Sequence, residues 1–304
     1  MRCFLTSNKH LRNSALISLY YDKAVRLVNR IKQRSGMTNS RNIYWSRYEP
    51  KNFGDWVTPY LYKKITGTDP LFCPPGLGFP TTTVLGAGSI LRHVKTPDTA
   101  IVWGSGIISS EDKFEKPRKI QAVRGPLTRK RCLELGFDCP EIYGDPAILL
   151  PIFYSPDKNQ EKKYTLGIIP HFINFKLAKK IFGSIDGARI IDVTQPLEKV
   201  VNDIIECETT VSSSLHGLIV SHAYGVRSAW VEFGEQLMGD GTKFQDYFSA
   251  FENQRKLEAI TIDKKITLKD LIALANKNEI PDHNKLKEPL LNACPFNKSV
   301  KELN

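Results

Sequence analysis

Residues 211–226 read VSSSLHGLIVSHAYGV: three serines, then Leu215, His216 and Gly217, then an apolar run with small residues. The residues before it, Thr209 to Val211, are β-prone. The residues after it carry helical spacing, with Leu215, Leu218, Ile219 and His222 on one side. A strand that feeds a serine-rich turn and then a helix gathers backbone N–H groups, the hydroxyls of Ser213 and Ser214, and an imidazole at one point. Such a point suits the holding of an anion and the transfer of a proton. The same residues also describe an ordinary capped helix with a satisfied turn histidine. What other elements bring to the same place decides between the two.

The elements around it alternate. Strands are expected at 43–45, 82–85, 100–103, 120–123, 164–169, 188–193, 209–211 and 228–233. Helices are expected up to Tyr62 and at 126–135, 197–205, 215–224 and 268–276. Residues 156–163 (PDKNQEKK) are polar and proline-led, the best linker in the chain. Alternation on both sides of one linker predicts an α/β protein with two doubly wound, Rossmann-like domains, 42–155 and 156–260. A basic helical segment (1–41) precedes them. A helix and tail (261–304), punctuated by Pro281, Pro289 and Pro295, follows. Ligands in doubly wound sheets lie outside the carboxyl ends of the strands. The strand ends to examine are therefore Asn52, Gly54 and Asp55; Gly104, Ser105 and Gly106; Arg124; Asp145; His171; and Ser213, Ser214 and His216.

Composition removes several function classes. The chain has 304 residues, 41% hydrophobic and 25% charged, as in a soluble globular protein. No apolar run approaches the roughly 18 residues that span a bilayer, and the N-terminus lacks a secretion signal, so a cytoplasmic location is expected. Six scattered cysteines form no CxxC pair and have no histidine partner at zinc spacing, so no metal site is expected. Of the net charge of +11, residues 1–41 carry +8, from nine Lys/Arg and one acid. The near-balanced remainder argues against a nucleic-acid surface. Within the basic segment, residues 11–31 have amphipathic helical spacing, which fits contact with an anionic membrane as well as packing on the body of the protein. GAGS and GSG lack full dinucleotide spacing, and neither a phosphate-binding loop with its lysine nor a G-x-S-x-G elbow is present.

Taken in order, NFGD, the WGSG turn, VRGPLT, YGDPAILLP, GIIPH, SSSLHGLIVSHAYGV, WVEF and KFQDYF resemble the polysaccharide pyruvyltransferase family. The resemblance covers about residues 43–251. It implies two domains facing a cleft in the manner of GT-B glycosyltransferases, and transfer from phosphoenolpyruvate to a hexose of a surface glycan. The product is a cyclic pyruvate ketal, with phosphate released and neither metal nor nucleotide cofactor. His216 matches the family's active-site histidine, and Arg124 matches a donor contact. Asp55 is the candidate base for a sugar hydroxyl. His171, Ser213, Ser214, Asn52, Gly104 and Ser105 are candidate substrate contacts. Many members carry a basic residue directly before the Leu-His pair, where this chain has Ser214. Arg227 or Lys243 could supply that charge instead. Two further readings compete: a nucleotide-sugar glycosyltransferase on the same scaffold, and a non-catalytic, membrane-associated glycan-binding protein.

Overall fold

The structure is a computed structural model and describes residues 20–47, 49–75, 81–156, 161–234, 240–251, 258–262 and 266–296. Part of the expected linker, residues 157–160, lies outside them, as do residues 11–19 of the expected basic helix.

A first helix, α1 (residues 20–34), leads into β1 (Asn42–Tyr44), a 3-10 turn (Phe53–Trp56) and α2 (Val57–Thr66). Gly67, in the left-handed region at φ 72°, closes α2. Then follow β2 (Leu71–Phe72), β3 (Thr83–Leu85), β4 (Ala100–Trp103), β5 (Lys119–Ala122) and α3 (Pro126–Glu134). All pairings in this sheet are parallel, in the order β2-β1-β3-β4-β5. A 3-10 turn (Pro146–Leu149) and the short α4 (Leu150–Phe153) connect onward.

The second sheet is built from β6 (Tyr164–Ile169), α5 (Phe175–Phe182), β7 (Ala188–Ile190), α6 (Leu197–Ile205), β8 (Cys207–Ser212), α7 (Leu215–Ala223), β9 (Arg227–Glu232), α8 (Thr242–Phe248) and β10 (Ile260–Thr261). Its order is β10-β9-β8-β6-β7, again all parallel. Counted from each sheet's first strand, both orders are 2-1-3-4-5, so the chain winds twice in the same way. In that winding the order reverses between the first and third strands, where the loops diverge and leave a crevice. The two crevices lie between β1 and β3 and between β6 and β8.

Both sheets are buried on two faces, which is why their strands read as apolar runs. One core joins the halves: Ile43, Phe53, Val57 and Trp103 belong to the same buried cluster as Val193, Val200, Leu215 and Leu218. Leu215 through His222 is buried at every position, so α7 is a core helix apolar nearly all round.

The C-terminal segment departs from the expected helix and extended tail. After α9 (Leu268–Lys277), which starts with a Thr267–Asp270 capping box, a further helix, α10 (Asn284–Asn292), forms with Pro289 inside it. Proline removes only one donor, and burial of Leu290 against the first half fixes the helix. Trp103 Nε1 donates to the Leu290 carbonyl at 2.8 Å, and Phe296 sets its ring edge-on to Tyr62 and Trp103.

Candidate active site

The loops at the two crevices face each other, and His216 is where they meet. Ser214 caps α7, accepting from the Gly217 N–H, and this places His216 in the first helical turn. The imidazole lies over Gly54 of the NFGD turn, where any Cβ would collide with its Nδ1 side. Only glycine permits that approach. The Phe53 ring stands edge-on to the imidazole at 6.4 Å. On the other side Nε2 is 3.5 Å from Asp145 Oδ2 and has no hydrogen bond of its own.

Asp145 is wholly buried. Burial alone would raise its pKa, but the charge of His216, the Ala147 N–H and the Arg124 charge outweigh it and hold the carboxyl below its usual range. Its oxygens accept from Ala147 N at 3.0 Å and Gly88 N at 3.3 Å. A fixed negative charge thus faces one nitrogen of the imidazole.

Asp55 comes from the NFGD turn of the first half. Burial pushes its carboxyl up to about 6, against the pull of the nearby His216. It has no hydrogen bond or ion pair among the described residues. A half-buried carboxylate with a pKa close to neutral is suited to take a proton. Asn52 caps the same turn, its Oδ1 accepting from Gly54 N.

Arg124 is fully buried and largely committed. Nε donates to Asp246 Oδ2 at 2.9 Å, Nη1 to Ser89 Oγ at 2.6 Å, and Nη2 to the Ile107 carbonyl at 2.6 Å. Asp246 also accepts from the Thr128 N–H and hydroxyl. The pair locks α8 of the second half onto α3 of the first. A Cβ at Gly106 would strike the guanidinium, and one at Gly125 would strike the Asp246 carbonyl, which explains both glycines.

Lys243, beside that pair, has no hydrogen-bond or ion-pair partner among the described residues. Burial and the Arg124 charge bring its pKa down to about 8. Lys243 in turn adds to the burial that lowers His171 to about 4. His171 Nδ1 is buried without a partner, while its backbone N–H donates to Ser213 Oγ at 2.9 Å. The Ser214 hydroxyl before the Leu-His pair is the cap of α7, and Lys243 is close enough to His171 and Arg124 for its charge to act on both. Arg227 starts β9, exposed at the opposite end of the sheet.

Other expected contacts are engaged in holding the loops. Ser105 Oγ donates to the Gly88 carbonyl, and Gly104 turns at φ 81° with its N–H on the Ala122 carbonyl. Ser213 Oγ accepts from the His171 backbone N–H. Asp145 was legible only as a polar strand end, and nothing marked it as the histidine's neighbour. Asp246 stood in KFQDYF with no sign of an arginine partner far upstream. Among the described residues no cluster of metal-ligating side chains occurs.

Two like-wound parallel sheets, with His216 of one brought against Asp145 and the NFGD turn of the other, define an α/β protein with a polar site between the sheets. The particular family follows from comparison: the chain belongs to the polysaccharide pyruvyl transferase family, which matches residues 37–233. It is 32% identical over 178 residues to an uncharacterised protein of Acanthamoeba polyphaga mimivirus, covering 56% of this chain and 62% of that protein. It is 28% identical over 198 residues to the succinoglycan biosynthesis protein ExoV of Rhizobium meliloti, covering 60% of this chain and 56% of that one. The chain thus matches a little over half the length of these relatives. No solved structure matches it.

Proposed function

We propose that the protein transfers the enolpyruvyl carbon skeleton of phosphoenolpyruvate to a hexose of a polysaccharide, closing a pyruvate ketal on two hydroxyls and releasing phosphate. The observation that carries this reading is the placement of His216 between Asp145 and the Asp55 turn, with His171 just after β6 and Lys243 in the first turn of α8. Family membership supports the same reaction class.

In the first step Asp55 takes the proton of the attacking hydroxyl while the sugar oxygen bonds to the enol carbon. His216 delivers a proton to the methylene carbon, which becomes the methyl group. The transferable proton sits on the Nδ1 side, toward the NFGD turn. Asp145, held ionised beside Nε2, faces the positive charge that the ring carries before transfer. In the second step a neighbouring hydroxyl attacks the same carbon, the carbon–oxygen bond to phosphate breaks, and the hydroxyl proton leaves with the phosphate. Lys243 neutralises the donor anion throughout, in a buried place where one charge counts for more than in water.

The acceptor fits an adjoining cavity of about 510 Å³, walled by Trp45, Trp56 and Tyr60 of the first half and by Gln195 and Leu197 of the second. Phe53 lines both this cavity and the imidazole. A largely apolar pocket between two halves, with four aromatic rings and a few polar groups, has the make-up of a small-molecule site. The two halves are taken to act as two domains in a GT-B-like arrangement. Acceptor-dependent phosphate release from phosphoenolpyruvate, followed with a panel of methyl hexosides and oligosaccharides, tests the reading. Release of nucleoside diphosphate from a sugar nucleotide, with phosphoenolpyruvate untouched, would replace it with the glycosyltransferase reading.

A further inference from the structure

Helix α1 is amphipathic, yet it sits on the protein with its polar side inward. Arg26 and Asn29 are buried. Arg26 Nη2 donates to the Thr81 carbonyl at 3.1 Å, and Asn29 Nδ2 to Asn42 Oδ1 and the Phe72 carbonyl at 3.1 and 2.9 Å. Gln33 Nε2 reaches the Ser40 carbonyl at 2.9 Å. One turn of helix separates each of these residues from the next, so they form a single stripe. The opposite stripe is Tyr20, Ala24, Leu27 and Ile31, widened by Tyr21 and Val28, and all six side chains are exposed. Tyr20 is 68%, Val28 47% and Ile31 54% exposed, and Met37 in the following loop is 75% exposed. Half of the large apolar side chains left exposed among the described residues fall between positions 20 and 37. Contiguous apolar surface on that scale marks an interaction site.

Charge indicates what covers it. Beside the stripe, a pocket of about 420 Å³ opens between α1 and the N-terminal ends of β1, β3 and β4. It is lined by Arg30, Arg34 and Arg41 and by no carboxylate. None of the three is in an ion pair among the described residues. Arg118 reaches the same edge, donating to Thr82 Oγ1 at 3.1 Å. Asp22 is the only acid of residues 20–41. Arginines four apart on one helix, with a third opposite, repel one another unless an anion lies between them. This pocket is at the amino ends of the strands, the end away from His216.

We propose that α1 and the arginine pocket form a docking surface for an anionic lipid bilayer. The apolar stripe enters the acyl boundary while Arg30, Arg34 and Arg41 take lipid phosphate. An apolar stripe flanked by arginine, on a helix held parallel to the protein surface, is the arrangement of an in-plane membrane helix. The stripe cannot be reached by lipid if a second copy covers it, so chain association is the competing occupant.

The test is flotation of the full chain with vesicles of phosphatidylcholine alone and with about 30 mol% phosphatidylglycerol, at low and at about 0.5 M salt. The wild-type chain is expected to float only with the anionic vesicles and to be released by salt. Leu27→Ser with Ile31→Ser, and separately Arg30→Ala with Arg41→Ala, should each lower bound protein by about tenfold or more. These positions lie outside the catalytic machinery, so phosphate release from phosphoenolpyruvate should be unchanged, and circular dichroism should show an unaltered melting temperature. Equal flotation of either variant and the wild type overturns the proposal. So does light scattering that shows a wild-type dimer, lost in the Leu27→Ser, Ile31→Ser chain, with no flotation.

Discussion

Asp145 Oδ2 stands 3.5 Å from His216 Nε2, wholly buried and supported by two backbone N–H groups. The carboxylate comes from the loop before a 3-10 turn in the first half, and the histidine from a helix in the second. The pair therefore forms only when the two halves are assembled.

Replacing His216 with Ala removes the proton donor, and kcat is expected to fall by about 10²–10⁴-fold with KM for phosphoenolpyruvate little changed. Asp145→Asn keeps the shape but loses the charge. It should lower kcat by about tenfold or more through the imidazole, again without raising KM. Steady-state kinetics on both variants checks this, and an unchanged kcat for Asp145→Asn would show the pair to be structural only.

Asp55 carries a cost in stability. Its carboxyl is raised from its ordinary 3.8 to about 6 by burial. The folded state therefore binds more protons than the unfolded chain between those values, and stability falls as pH rises through that window. The expected penalty at pH 7, discounted for the residue's partial exposure, is about 1–2 kcal/mol. Asp55→Asn should be more stable than wild type by that amount at pH 7 and equal to it near pH 3.5, while losing most activity. Urea melts at the two pH values decide it, and a variant destabilised at pH 7 would count against the raised pKa.

Lys243, with a pKa of about 8, should make donor binding pH-dependent. Affinity for phosphoenolpyruvate is expected to decline above about pH 8 as the ammonium deprotonates. Lys243→Ala should weaken binding by about tenfold or more and abolish that decline, while Lys243→Arg restores affinity at high pH. Calorimetric titration with phosphoenolpyruvate at pH 7 and pH 9 reads both.

Arg124 and Asp246 form a buried pair, and removing either partner leaves the other charge uncompensated. Arg124→Met or Asp246→Ala should each destabilise the fold by about 3–5 kcal/mol, and the double variant by less than the sum. A double-mutant cycle in urea measures the coupling, and additive effects would contradict it.

The alternation of strands and helices was legible because each strand is a short β-prone run and each crossover helix has its own period. Gly54, Arg124 and His216 stood out as polar or glycine-rich strand ends. Asp145 did so too, but the pairings did not. Asp145 and Asp246 act across long sequence separations, and no local spacing links Asp145 to His216 or Asp246 to Arg124. The serine-rich turn was half readable. Ser214 is the cap of an ordinary capped helix, and that cap is what sets His216 in place. Helix α1 misled in one respect: its period is plain in the sequence, but only the hydrogen bonds of Arg26, Asn29 and Gln33 show that its polar side faces inward. Pro289 hid α10, whose position depends on a contact with Trp103 in the first half.

The central claim is that phosphoenolpyruvate occupies the space between His216 and Lys243. A crystal soaked with phosphoenolpyruvate tests it without knowledge of the acceptor. The account predicts difference density with an anionic group on Lys243 Nζ and the methylene carbon turned toward the Nδ1 side of His216. Saturating donor that leaves this space empty, or that binds elsewhere with His216 and Lys243 untouched, would contradict it.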